Sequence, residues 1–393
     1  MNPKTHVTTH AWLARTGLAR AGLTLAGLLL APQATAQDGT VAPPGRGAYL
    51  TQSLILDFAG AWFSTATPLQ TGGHDPRRSG LTLQGLEWTS TAHVDPYLHF
   101  TGVAVFTTGG VEIEEAYAQT TALPANLAVK AGQFLLPVGR LNGQHLHAWH
   151  FIDQALHIGR VYGAEGGRAL GVQASWLAPL PWSCEVALAG TAAAGGQDEG
   201  FGIGDMHSLE DGLATLQVKQ FLGLGEDWGV QLGLAAQVGA VRGEPWPEPV
   251  RDDTKQVAAA DVLVRWRPVA DPDRTFAALL IEAVDVRLPS HLHLETGSAN
   301  HDATLWGGAA QLVVGLDPRW EVGGRSEHVA AARDDGTAWS EQRHTGLVTF
   351  KPTEFSRLRL QGHLARGRDR PTWQSGVMLA LEVFSGDHAA HPW

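Results

Sequence analysis

The sequence predicts an all-β fold, a transmembrane antiparallel β-barrel of about sixteen strands with one long inward-folded loop. Three observations lead to this prediction. Strand-like segments of about ten residues recur along the chain, which is the length that a tilted strand needs to cross a bilayer. Most connections alternate between a short turn carrying Pro, Asp or Gly and a longer polar loop. In several segments polar side chains occupy one face and apolar side chains the other, as the two sides of a barrel wall require.

The alternation of short and long connections is clearest around Glu112 to Asp153. Two predicted strands, Glu112 to Thr121 and Leu127 to Leu136, are joined by a tight Leu-Pro-Ala-Asn turn, as in a β-hairpin. Beyond Pro137 the alternation stops, and a long polar segment follows before strand-like sequence resumes near Arg168. A tight turn at one end and a long loop at the other is typical of outer-membrane barrels.

The complete set of predicted strands is even in number. The strands are Tyr49–Phe63, Leu81–Thr91, Tyr97–Thr107, Glu112–Thr121, Leu127–Leu136, Arg168–Leu177, Trp182–Ala192, Gly212–Leu222, Trp228–Ala240, Val257–Arg267, Arg274–Leu288, Thr304–Leu316, Arg319–Ala331, Trp339–Lys351, Phe355–Arg366 and Thr372–Phe384. With an even number of strands, the first strand begins and the last strand ends at the short-turn side of the barrel, which is periplasmic in this class.

The two faces of the strands favour a barrel over a secreted soluble sandwich. Arg357 and Arg359, for example, alternate with Leu358 and Leu360. Polar side chains that point inward from many strands require a wet interior, whereas the inner faces of a sandwich are apolar. The side chains predicted to face the lumen are Lys130, Asp261, Arg265, Arg325, Arg357 and Arg359.

The N-terminal segment is predicted to be a secretory signal peptide, residues 1–36. It carries three positive charges, no acidic residue, an apolar run from Leu23 to Ala31, and Ala34-Thr35-Ala36 before the expected cleavage point. Residues 37–48 are expected to form a short leader and residues 49–393 the barrel. Loss of the three charges changes the formal net charge from −11 to −14. This acidic balance argues against binding to nucleic acid.

Other features of the composition narrow the class further. The apolar run in the signal peptide is too short to span a bilayer, and no other stretch is long enough, which argues against a helical membrane protein. Cys184 is the single cysteine, so a scaffold built on internal disulfides is excluded. The chain has neither a G-x-S-x-G elbow nor an H-E-x-x-H motif, and the sequence therefore predicts no enzyme.

Three segments resemble a known group of proteins: EEAYAQTTALPANLAVKAGQFLLPVGRLNGQHLHAWHFID, HVDPYLHF and EVFSGDHAAHPW. They are similar to bacterial outer-membrane proteins described as porin-like or zinc-regulated, which are distantly similar to phosphate-selective porins. The resemblance implies residence in outer-membrane lipid, passive passage of small hydrophilic solutes or ions, a link to zinc or another divalent metal, and a homotrimer. Alternatives are an anion-selective porin of the phosphate type and a metal-binding protein like a TonB-dependent receptor. Because strands begin near Tyr49, we expect no separate N-terminal plug.

The long connection after the fifth strand is the predicted constriction of the channel. In porins that this chain resembles, the corresponding loop folds into the barrel and narrows it. The residues expected to line the constriction are Arg140, His145, His147, His150 and Asp153.

Four histidines are candidate metal ligands. His145 and His147 lie in the constriction loop, and His291 and His293 repeat the spacing in a predicted external loop. Neutral imidazoles suit zinc, copper or nickel, and i, i+2 spacing in an extended chain sends both rings to the same side. The sequence supplies no certain third ligand, so a polar eyelet and a solvated loop surface remain open alternatives. A structural protein bound to the membrane is the competing class for the whole chain.

Overall fold

The structure is a computed structural model that describes residues 49–192, 212–240, 254–270, 275–288, 303–333, 336–368 and 370–386. The predicted signal peptide and leader lie outside these residues, and so do His291 and His293. Among the described residues, no helix has the length and apolar character that would let it cross a membrane.

Sixteen strands make up nearly all of the described structure. They are β1 (Tyr49–Phe63), β2 (Gly80–His93), β3 (Leu98–Phe106), β4 (Val111–Thr120), β5 (Leu127–Leu135), β6 (Arg168–Leu177), β7 (Ser183–Thr191), β8 (Leu213–Leu224), β9 (Trp228–Ala240), β10 (Thr254–Trp266), β11 (Phe276–Leu288), β12 (Ala303–Gly315), β13 (Trp320–Arg333), β14 (Ala338–Thr353), β15 (Ser356–Gly367) and β16 (Arg370–Gly386). A helix, α1 (Leu156–Tyr162), lies between β5 and β6, and short 3₁₀ turns occur at Pro124–Asn126 and Leu146–Ala148.

The strands form one closed antiparallel barrel. Each strand pairs with its neighbours in sequence, and β1 pairs with β16 from Ser53 opposite Gly386 to Phe63 opposite Gly376. A closed sheet leaves no unpaired edge, which a bilayer requires because it offers no water to backbone amides. The predicted sixteen-stranded transmembrane barrel is confirmed.

The alternation of side chains along the strands distinguishes an outer from an inner face. On β16, Leu379 points outward and is 54% exposed, whereas Glu382 points inward and is fully buried. Aromatic rings pair on neighbouring strands near the short turns, with ring centroids 4.6 Å apart for Trp320 and Phe350 and 6.4 Å apart for Trp228 and Trp266. Aromatic girdles of this kind mark the level of the membrane interface.

The long connection between β5 and β6, residues 136–167, folds into the barrel as the sequence predicts. Its apolar side chains are buried against apolar residues on the inner wall. Leu156 and Tyr162 belong to one cluster with Val284, Leu305 and Val329 of the strands. The inner wall is therefore not uniformly polar. At these positions it meets the loop rather than water.

One glycine is required by the pairing of β4 with β5. Gly132 has a φ of +134°, and a Cβ atom there would lie 2.2 Å from the carbonyl oxygen of Ala116. We expect Gly132→Ala to destabilise the barrel by at least about 1 kcal/mol, because both the backbone conformation and the contact are unfavourable. The folded fraction is measured after refolding in detergent, from the shift in gel mobility between unheated and heated samples.

The matched control for this variant is Gly190→Ala on β7, because a Cβ atom at Gly190 would meet no atom within 4 Å. Equal folded fractions for the two variants would contradict the argument from strand pairing.

Candidate functional site

The loop inside the barrel is anchored by a buried ionic group. Asp153 lies in the loop, and its two carboxylate oxygens are 2.5 Å from a guanidinium nitrogen of Arg325 and 2.8 Å from one of Arg343. Glu327 lies within 3.1 Å of both guanidinium groups, and Gln361 donates a hydrogen bond of 2.9 Å to Asp153. Burial opposes the charge on Asp153, but the two arginines outweigh it and hold the pKa of this carboxyl below its usual range.

Inward-facing side chains also satisfy the backbone of the loop. Arg359 donates to the carbonyl oxygens of Trp149 and Phe151 at 3.1 and 3.2 Å. Across the barrel, Glu282 accepts hydrogen bonds from the backbone amides of Arg140 and Leu141 at 2.6 and 3.0 Å. Buried backbone groups need hydrogen-bond partners. The side chains of the strands provide the hydrogen bonds that water would provide to an exposed loop.

All six side chains predicted to face the lumen lie on the inner face of the barrel. Three of them, Arg325, Arg357 and Arg359, hold the loop and are paired with acids. Arg357 and Arg359 share Glu382 at 2.6 and 3.0 Å. The remaining three are Lys130, which lies 4.4 Å above the ring of Phe134, Asp261, which is paired in register with Glu282, and Arg265, which borders a cavity.

The five predicted constriction residues divide into different environments. Arg140 and His150 line a small cavity together with Arg265 and Arg357. Burial, reinforced by the charges of Arg357 and Lys351, lowers the pKa of His150 to about 3, so this ring is neutral. Asp153, by contrast, does not line a path. Its side chain is fully buried, because the guanidinium groups of Arg325 and Arg343 bind it.

His145 and His147 lie on an acidic wall formed by β2 and β4. The two ring nitrogens of His145 are 2.6 Å from Glu114 and 2.9 Å from Glu115, and Nδ1 of His147 donates to Glu87 at 2.7 Å. The two rings stack with centroids 5.9 Å apart. Burial opposes protonation of His145, but the bonds to Glu114 and Glu115 outweigh it and raise its pKa well above the ordinary histidine value.

A second imidazole and carboxylate group lies beside this wall, and the sequence did not single it out. It consists of His74, from the connection between β1 and β2, with Glu112 of β4 and Glu165, just before β6. Nε2 of His74 is 3.3 Å from a carboxylate oxygen of Glu165. Burial lowers the pKa of His74, but the adjacent carboxylates of Glu165 and Glu114 outweigh burial and raise it to about 9.

The comparisons with known proteins concern the fold. No family model matches the chain. An uncharacterized protein of Aquifex aeolicus (strain VF5) is 27% identical over 353 residues, which cover 82% of this chain and 73% of that protein. The outer membrane channel DcaP of Acinetobacter baumannii has a TM-score of 0.55 at 13% identity, over 86% of this chain and 98% of DcaP.

OmpT of Vibrio cholerae, an outer membrane protein described in a trimer form, has a TM-score of 0.54 at 8% identity. It aligns over 86% of this chain and all of OmpT. The fold is that of outer-membrane porins. This likeness agrees with the predicted location in the outer membrane.

Removal of the charge on Asp153 tests the anchor. We expect Asp153→Asn to release the loop, because breaking a buried ion pair on one side costs about 3 to 5 kcal/mol. Trypsin should then cut the folded barrel in detergent within residues 136–167 faster than it cuts the native protein, with cut sites mapped by mass spectrometry. Asp317→Asn is the control, since Asp317 makes its bond to the amide of Arg319 in an exposed turn. An unchanged digestion pattern in Asp153→Asn would refute the anchoring role.

The pKa values of the two loop histidines are shifted in opposite directions from the ordinary histidine value. We expect a charged His145 at pH 7.5 and a neutral His150 at pH 5, from the ¹⁵N chemical shifts of the rings, assigned with His145→Gln and His150→Gln variants. Because the folded pKa of His145 is raised, its ionic stabilisation is complete below about pH 6.5 and is lost as pH rises through the folded pKa. A neutral His145 at pH 7.5 would show that Glu114 and Glu115 do not hold an imidazolium.

Proposed function

We propose that this protein is an outer-membrane, porin-like channel for the passive passage of small hydrophilic solutes or ions. The observation that carries the proposal is a loop fixed by buried charges inside a closed barrel. Such a loop narrows the lumen, and it leaves charged side chains at the narrow region. Pores of this kind select by width and by the charges that line them.

The charges on the two sides of the loop favour a general diffusion channel. Glu87, Glu114 and Glu115 lie on one wall, where they pair with the loop histidines, and Arg140 and Arg265 border a small cavity. A solute that passes between walls of opposite sign experiences a transverse field. The anion-selective alternative loses much of its support, because the arginines of β13 and β15 are neutralised by acids and by the loop.

The proposal includes a link to divalent metals and a homotrimeric assembly. Two groups of three residues, His74 with Glu112 and Glu165, and Glu87 with Glu114 and His145, have ligand atoms within 4.8 Å of one another. Imidazole and carboxylate are both zinc donors. The trimer is supported by the likeness to OmpT of Vibrio cholerae, which is described in trimer form.

Reconstitution in planar bilayers tests the channel. We expect stepwise conductance from folded protein and a modest reversal potential across a salt gradient. Arg140→Gln should shift the reversal potential toward cation preference, because it removes a positive charge from the narrow region, while Arg319→Gln in a short turn should leave it unchanged. Folded protein that inserts and yet gives no current above the empty bilayer would overturn the channel proposal.

A further inference from the structure

The group formed by His74, Glu112 and Glu165 lies where two connections meet the barrel wall. Here residues 64–79 touch the end of the long loop, and the amide of Gly73 donates to the carbonyl oxygen of Ala164 at 2.8 Å. A Cβ atom at Gly73 would lie 1.8 Å from a carboxylate oxygen of Glu165. The backbone therefore passes directly against this carboxylate.

The ring of His74 is held in the orientation of a ligand. Its Nδ1 donates to the carbonyl oxygen of Gln84 at 2.7 Å, which leaves Nε2 directed at the acidic group. Histidines that bind metals almost always use the other ring nitrogen in this way. His74 is 92% buried, and its Nε2 makes no hydrogen bond to any described residue. The carboxylate oxygens that face Nε2 are those of Glu165 at 3.3 Å and Glu114 at 3.8 Å, and a bound cation would replace these long contacts with shorter ones.

The distances suit a small cation with tetrahedral preference. Nε2 of His74 is 3.3 Å from the Oε2 atom of Glu165, which also makes no hydrogen bond to the described residues. Two ligands of tetrahedral zinc, each about 2.1 Å from the metal, are about 3.4 Å apart. One nitrogen and two carboxylate donors suit zinc and similar transition ions better than magnesium or calcium, which bind through oxygen alone.

The local charge also favours a cation. Three carboxylates, those of Glu112, Glu114 and Glu165, surround Nε2 of His74, and Arg168 is the cation that pairs with two of them, at 3.1 Å from Glu112 and 3.8 Å from Glu165. A small cavity borders His74 and Glu165.

The alternative group around His145 is less suitable. Both ring nitrogens of His145 are already bound to carboxylates, so a metal there would have to displace existing bonds. Nε2 of His74, by contrast, faces its carboxylate neighbours at the longer distances of 3.3 and 3.8 Å. His145, a candidate from the sequence, is therefore a less suitable ligand than His74, which the spacing of the histidines did not indicate.

We propose that His74, Glu112 and Glu165 form a binding site for a divalent transition cation of the zinc type. The ion joins the connection after β1, the wall at β4 and the end of the long loop. This site rests on the proposed link to divalent metals but not on solute passage, so its test does not require a conducting protein.

The test is calorimetric titration of zinc into the untagged mature chain, folded in detergent and treated with a chelator. We expect saturable binding, weakened at least tenfold in both His74→Ala and Glu165→Gln. The gel-mobility shift verifies folding of each variant, and Glu165→Gln keeps the size of the side chain. The matched control is His344→Ala, an exposed histidine of β14 next to Ser326, which should change the affinity less than threefold. His145→Ala is measured beside it.

Two results would overturn the site. One is the absence of saturable zinc binding by folded native protein. The other is native affinity in both His74→Ala and Glu165→Gln, including the case in which His145→Ala alone removes binding, because the ion would then lie elsewhere. Cobalt gives a further check, since its visible spectrum should report tetrahedral coordination in the native chain and lose that signature in His74→Ala.

Discussion

The burial of Asp153 between Arg325 and Arg343 is the interaction on which the interior of the barrel depends. A carboxylate and two guanidinium groups without water are favourable only when their remaining hydrogen-bonding capacity is met. Glu327 and Gln361 meet part of it. Such a group tolerates few geometries, because a displaced loop would leave charges buried and unpaired. The position of the loop, and so the shape of the lumen, follows from electrostatics more than from apolar packing.

This anchoring divides the inner wall into regions with different tasks. The arginines of β13 to β15 hold the loop, and the apolar residues of β11 to β13 receive α1. The acids of β2 and β4 face the imidazoles of the loop, and Arg140 and Arg265 border a cavity. A lumen that looks uniformly charged in the sequence is thus partly a binding surface for the chain itself. Only the charges that the loop leaves uncovered can act on a solute.

The sequence was sufficient for the architecture because the barrel is built from local, repetitive signals. Turn residues such as Asp317 and Pro318 delimit the strands, and the parity of Arg357 and Arg359 against Leu358 and Leu360 fixes which face is inward. The alternation of polar and apolar residues along a strand does not determine what an inward side chain contacts. Arg359 was expected to line the channel, yet it binds the carbonyl oxygens of Trp149 and Phe151.

The same limit applies to apolar positions. Val284, Leu305 and Val329 face inward and pack on Leu156 and Tyr162 of the loop. The sequence analysis did not predict the helix to which Leu156 and Tyr162 belong. His74 and Glu165 are more than ninety residues apart, and no spacing rule connects them. Contacts inside the barrel between residues far apart in the sequence cannot be predicted from local sequence patterns.

The two imidazole groups are joined through one carboxylate, and this connection gives the proposed cation a physical route to the loop. One oxygen of Glu114 is 2.6 Å from His145, and the other is 3.8 Å from His74. A cation at His74 would attract Glu114 as well as Glu165, while Glu114 continues to bind the loop through His145. Binding and loop closure would then favour each other to the same extent in both directions, as linkage requires. At a hundred times its dissociation constant, a ligand stabilises the state that binds it by about 2.7 kcal/mol, an amount comparable to one buried ionic contact in the anchor. The constriction would thus be stabilised at both ends, by fixed arginines at Asp153 and by an exchangeable ion at His74.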